Sequence, residues 1–151
     1  MEAFKRLDDL LSSDEDQYYA NDSFLEAEEL IRTLTAEDID QMVDAWNDRD
    51  PSWRDRFAQA SSSIQLSTLE SLLKALIDHP VGASHILSLM SILPNTSEHS
   101  LLRTSLVTFA TSVWHSSPEL HRQVQMCTWA CGLSGQLLRS LGFKSWREAG
   151  L

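Results

Sequence analysis

Apolar residues recur along this chain at three- and four-residue intervals, while strict alternation with polar residues never lasts more than a few positions. The pattern predicts an all-α fold of eight or nine helices. A first short helix would carry Phe4, Leu7 and Leu11 and end at the acidic break Ser12-Ser13-Asp14-Glu15-Asp16. A second would place Phe24, Ala27, Ile31 and Leu34 on one side. Thr35 then reads as an N-cap with Asp38 three residues on, and Ile39, Met42, Val43 and Trp46 follow at i, i+3, i+4, i+7, the spacing of one apolar stripe.

The same reading continues to the C-terminal end. Asp50-Pro51 supplies a capping residue and a first-turn proline ahead of Trp53, Phe57, Ala60 and Ile64. Ser67 with Glu70 predicts a capping box for a helix burying Leu69, Leu72, Leu73, Leu76 and Ile77. Pro80 is expected to open the next, with Ile86, Leu87, Met90 and Leu93, up to Pro94-Asn95. From about Ser97 to Trp114 the apolar set Leu102, Leu106, Phe109 and Val113 is widened by Leu101, Ala110 and Trp114, so this helix should be enclosed on more than one side. Ser117-Pro118 precedes a helix with Leu120, Val124, Cys127 and Cys131, and a last short helix around Gln136 to Leu141 should stop at Gly142. Trp129, Met126 and Leu133 fall off that Leu120 stripe and call for a partner of their own, with another helix of the chain the first expectation. Trp46 and Trp53 straddle a turn and should clamp two helices, and Trp146 is the tryptophan expected to be exposed.

With 151 residues, 42% of them apolar, and five tryptophans, the chain has the size and packing material of one domain with a real core. Only five glycines and four prolines argue against turn-rich β architectures. The longest stretch without a charged residue, His79 to Ser97, is bounded by prolines and interrupted by serines, so no membrane span is expected. Two acids near the N-terminus stand where a signal peptide has its apolar core, and Cys127 and Cys131, the only cysteines, are too few for a disulfide framework. A reducing, cytoplasmic setting is the expectation.

Three proline-bearing turns join these helices, at Asn47 to Pro51, Ile77 to Pro80 and His115 to Pro118, separated by 29 and 38 residues. Asp50-Pro51-Ser52-Trp53-Arg54 and the run Leu72 to Pro80 resemble the inter-helix turns of HEAT-type α-helical repeats over residues 36 to 131. That resemblance implies a short stack of helical hairpins; an irregular helical bundle fits the periodicity equally.

Charge divides the chain. Residues 1 to 50 hold 16 acidic and 4 basic side chains, a net of −12, whereas residues 51 to 151 hold 6 and 8, a net of +2. Such acidity repels nucleic acid and anionic membrane. On the helix after Thr35, Glu37, Asp40, Asp44 and Asp48 oppose the apolar stripe. Asp40, Asp44 and Asp48 are successive i, i+4 neighbours of like charge, each pair unfavourable by roughly 0.2 to 0.5 kcal/mol. Stability alone would not choose that ladder. Glu26, Glu29 and Leu25 lie on the outer side of the preceding helix, and Asp14, Glu15 and Asp16 precede Tyr18 and Tyr19, a mixture of negative charge and amphipathic rings suited to a cationic protein partner. The bland alternative for all these acids is a solvated face that maintains solubility.

No phosphate loop, dinucleotide fingerprint or metalloprotease motif is present, and Gly132-Leu133-Ser134-Gly135 lacks the spacing of a nucleophile elbow, so no enzymatic activity is expected. His115, His121, Cys127 and Cys131 fall within 17 residues, but the cysteines extend an apolar stripe, where core packing is the simpler expectation than zinc. His79 reads as a helix-end residue rather than an acid-base group. No cofactor or metal is expected.

A small, acidic, all-helical chain with hairpin turns and no catalytic motif is similar to the bacterial immunity proteins that neutralise a cognate toxin. That resemblance implies that an acidic face covers the active or substrate-binding surface of a basic toxin, in this family often a nuclease, with Tyr18, Tyr19 and Leu25 as apolar anchors. The alternative is a helical adaptor or chaperone-like module that takes a peptide or helix in a groove involving residues 79 to 97 and Trp129.

Overall fold

A computed structural model of the chain describes residues 2–20, 22–95 and 100–151. Among these, ten α-helices and no strands are found, so the fold is all-α as predicted, with one short helix more than expected. The helices are α1 (Glu2–Leu11), α2 (Glu15–Ala20), α3 (Ser23–Thr33), α4 (Ile39–Asp48), α5 (Pro51–Ala60), α6 (Leu66–Asp78), α7 (Ala83–Met90), α8 (Ser100–Ser116), α9 (His121–Ala130) and α10 (Ser134–Leu141).

The extra helix is α2, and it begins inside the predicted acidic break. Asp14 accepts a hydrogen bond from Gln17 N at 2.9 Å, which satisfies one of the free first-turn amides. Glu15 and Asp16 then sit in the first turn, where negative charge is favourable. The break is a helix start. Thr35 and Asp38 form the expected capping box, opening a 3-10 turn (Ala36–Asp38) that leads into α4. Asp50 caps α5 by accepting from Trp53 N at 3.0 Å, with Pro51 in the first turn.

Two predicted starts are displaced. Ser67 does not cap α6, because Leu66 is already helical and Gln65 occupies the boundary. Pro80 does not open α7; it lies in the connection, and the helix begins only after Gly82. Gly82 has φ +72°, and a Cβ there would come within 2.5 Å of Arg54 Nε, so both backbone and space require glycine. Pro118 opens a short 3-10 turn (Pro118–Leu120) rather than α9 itself. The expected start of α8 at Ser97 lies outside the described residues.

Packing follows a regular order. In one layer α3 contacts α5, α5 contacts α7 and α7 contacts α9; in the other α4 contacts α6, α6 contacts α8 and α8 contacts α10. α1 adds to the first of these ends, touching α3, α4 and α5, and cross-contacts such as α6 with α7 and α8 with α9 join the layers. The core between them is continuous from Phe4 to Leu137. Trp46 and Trp53 clamp α4 to α5 as predicted: Phe57 stacks on Trp53 at 5.4 Å and meets Trp46 edge-on at 5.9 Å, and both indoles are buried. Their N–H groups are satisfied, Trp46 Nε1 by Val81 O and Trp53 Nε1 by Asp8 Oδ1. Arg54, buried beside them, donates to Trp46 O and Arg49 O, so its charge meets the negative end of α4.

Candidate functional site

The structure gives several of the acidic residues internal tasks. Glu26 receives a two-pronged pair from Arg6, at 2.8 and 3.2 Å, which ties α3 to α1. The Arg6 hydrogen bond holds the Glu26 carboxyl below its usual range. Glu29 is paired with Arg32 on its own helix, at 2.9 and 3.0 Å. Asp14 is occupied in capping α2.

Tyr18 is the clearest correction among the predicted anchors. Its ring is buried, with the Arg56 guanidinium 4.9 Å from its centroid, and burial pushes its hydroxyl up to about 12. Arg56 in turn donates to Leu11 O and Ser13 O, closing the α1–α2 connection over α5. The ring is therefore core and is not available to a partner. Tyr19 and Leu25 do remain about half exposed.

What is left outward is a groove between α1 and α4 of about 500 Å³. Phe4, Gln41 and Ala45 line it together with the carboxylates Glu2, Asp8, Asp44 and Asp48 and the cations Lys5 and Arg49. Asp8 and Arg49 neutralise one another inside it, through Arg49 Nη2 to Oδ2 at 2.7 Å and Nε to Oδ1 at 3.1 Å. Asp8 also accepts from Trp53 Nε1 at 3.0 Å. The Arg49 hydrogen bond, against the opposing effect of burial, holds the Asp8 carboxyl below its ordinary value. Four carboxylates against two cations, Lys5 and Arg49, leave the groove with an excess of negative charge suited to a Lys or Arg side chain. Asp40 and Glu37 are exposed on the α4 side but do not line the groove, and Asp14 and Glu15 line a neighbouring hollow with Asp50, Arg49 and Arg56.

Sequence reasoning missed Glu2 and Asp8. Asp8 had a signal, since it stands four residues after Phe4 and three before Leu11, at the edge of the α1 stripe. Nothing local told that α4 would face it.

The second half corrects three further expectations. Ile86, Leu87, Leu89 and Met90, within the uncharged segment assigned to the adaptor groove, are buried. Trp146 is half-buried against Trp114, with centroids 5.7 Å apart, while Trp129 is 74% exposed and Met126 63% exposed. Among the described residues no other helix covers them, although Leu133 of the same stripe is buried. His121 stacks on Trp114 at 3.6 Å and its Nε2 meets Trp114 O at 2.7 Å. Cys127 and Cys131 lie in the core, and burial pushes the Cys127 thiol up to about 11, which suppresses its free thiolate. No group of three metal-ligating side chains is found among the described residues, and no helix there is long and apolar enough to cross a membrane. Comparison with protein-family models, curated proteins and solved structures finds no match to this chain.

Proposed function

We propose that the chain acts by binding rather than catalysis, as an immunity-type inhibitor whose acidic α1/α4 side covers the basic active or substrate-binding surface of a toxin. The observation that carries this reading is the charge left in the groove once internal pairing is subtracted. Arg6, Arg32 and Arg49 each answer one carboxylate, yet Glu2, Asp44 and Asp48 still gather against Lys5. The Asp40, Asp44, Asp48 ladder opposes helix stability, which is a reason to look for its use elsewhere. Glu37 and Asp40 extend the negative surface beyond the groove, and Tyr19 and Leu25 supply exposed apolar area on the neighbouring helices. Steering by such a field speeds association and selects a cationic partner.

The experiment is co-expression with a secreted toxin encoded directly beside the chain, read as growth rescue, and association kinetics of the purified pair. Reversing Asp40, Asp44 and Asp48 to Lys is expected to abolish rescue while the fold survives. The association rate of the unmodified pair should fall with salt, since charges are screened beyond about 8 Å near physiological ionic strength. Rescue that survives the triple reversal but is lost in Trp129→Ala would replace this reading with the adaptor.

A further inference from the structure

The outer face of α9 is apolar where nothing in the fold requires it. Its inner side, Val124, Cys127 and Thr128, meets the core. Outside, Arg122, Gln125, Met126, Trp129 and Ala130 follow the i, i+3, i+4, i+7, i+8 spacing of a single helical stripe, and with Trp146 they line a groove of about 620 Å³. The wall that Trp146 provides is already in place, because its ring rests on Trp114, which is itself stacked on His121.

The charges around this groove are of the opposite kind to those of the α1/α4 side. Arg122 lines it and Arg147 follows Trp146; both are exposed, and neither has an ion-pair partner among the described residues. Residues 101 to 151 hold five basic and two acidic side chains, a net of +3, against −12 in residues 1 to 50. Apolar surface bordered by the unpaired Arg122 guanidinium is complementary to apolar surface bordered by carboxylates.

We propose that the α9–Trp146 groove docks an amphipathic helix of another protein, its apolar stripe flanked by Asp or Glu. The stripe lies along Met126 and Trp129, and a flanking carboxylate reaches Arg122. A second copy of this chain meeting the groove about a two-fold axis would bring one Arg122-bearing patch onto another, with no carboxylate among the groove's lining residues to answer it, which opposes self-association. An anionic bilayer would attract the arginines but repel a chain of net charge −10. The groove is separate from the acidic one, so either can fail without the other.

Two synthetic peptides of about 18 residues, long enough to hold a helix, test this against the full chain by fluorescence anisotropy. They share one leucine stripe, flanked by Glu in one and by Lys in the other. The Glu-flanked peptide should bind at least ten-fold tighter. Trp129→Ala and Met126→Ala should each weaken it at least ten-fold at an unchanged melting temperature, and Arg122→Glu should reverse the preference between the peptides. Equal affinity for both, no binding of either, or indifference to Trp129→Ala overturns the proposal. So does a concentration-dependent dimer in sedimentation, or binding to phosphatidylserine vesicles, that Trp129→Ala removes; the first would assign the face to a second copy and the second to a membrane.

Discussion

The first fifty residues and the last fifty differ in how they pair their arginines and in whether each tryptophan on a helix stripe is covered. In the first, Arg6, Arg32 and Arg49 are each paired with a carboxylate, and Tyr18 and Trp46 are buried. In the last, Arg122, Arg139 and Arg147 have no ion-pair partner among the described residues, and Trp129 is the most exposed aromatic ring there. In the acidic region Arg6 ties α1 to α3, Arg49 ties α1 to the α4–α5 turn and Arg32 braces its own helix, and what the region shows outward is the unanswered remainder. The basic region holds its helices with rings, with neutral hydrogen bonds such as Gln123 to Ser84 O at 2.8 Å, and with Arg103 on the carbonyls of Cys131 and Gly132, and it forms no ion pair with Arg122, Arg139 or Arg147 among the described residues. Surface charge in each half is what the fold did not consume.

The contrast breaks most sharply at the tryptophans. Trp46→Ala should destabilise by about 3 to 5 kcal/mol as a large-to-small core change, lowering the melting temperature on the order of 10 °C. Trp129→Ala should stay within about 0.5 kcal/mol. Equal losses in thermal unfolding would mean that α9 is covered after all.

Two glycines give the next comparison. Gly82→Ala combines a left-handed backbone with the approach of Arg54 and should cost about 2 to 4 kcal/mol. Gly142 has φ +81° at the end of α10 but nothing within 4 Å of a Cβ, so its alanine variant should cost only about 1 kcal/mol in urea unfolding.

Asp8→Ala should cost about 1 to 3 kcal/mol, because it strands Trp53 Nε1 and Arg49 together. The effect carries a pH signature. The folded carboxyl binds its proton more weakly than the unfolded one, whose value is about 3.9, so the stabilisation is complete above that pH and is lost as pH falls through the folded value. Urea midpoints between pH 2 and 6 should therefore fall less steeply in Asp8→Asn than in the parent; parallel curves would remove Asp8 from its place as the tie between α1 and the α4–α5 turn.

The smallest effect expected is a gain. Asp44→Asn relieves two like-charge neighbours on α4 and should stabilise by about 0.5 kcal/mol, more at low salt than at high. A loss of stability would show that the ladder has compensating partners within the fold.

Periodicity determined the helical class, and local chemistry at Thr35-Asp38 and Asp50-Pro51 determined where α4 and α5 begin, because stripes and caps are set by residues within one or two turns of each other. The uneven charge was likewise plain from counting. Tertiary structure decided everything that depended on which helices meet. It buried Tyr18 under Arg56, gave Glu26 to Arg6, set Asp8 against Arg49 and Trp53 across more than forty residues, and moved the start of α7 from Pro80 to the turn where Gly82 passes Arg54. It also left Trp129 outside while drawing Trp146 onto Trp114. A stripe of apolar spacing states that a face wants a partner, and only the packing of the remaining helices settles which faces are covered by the chain itself.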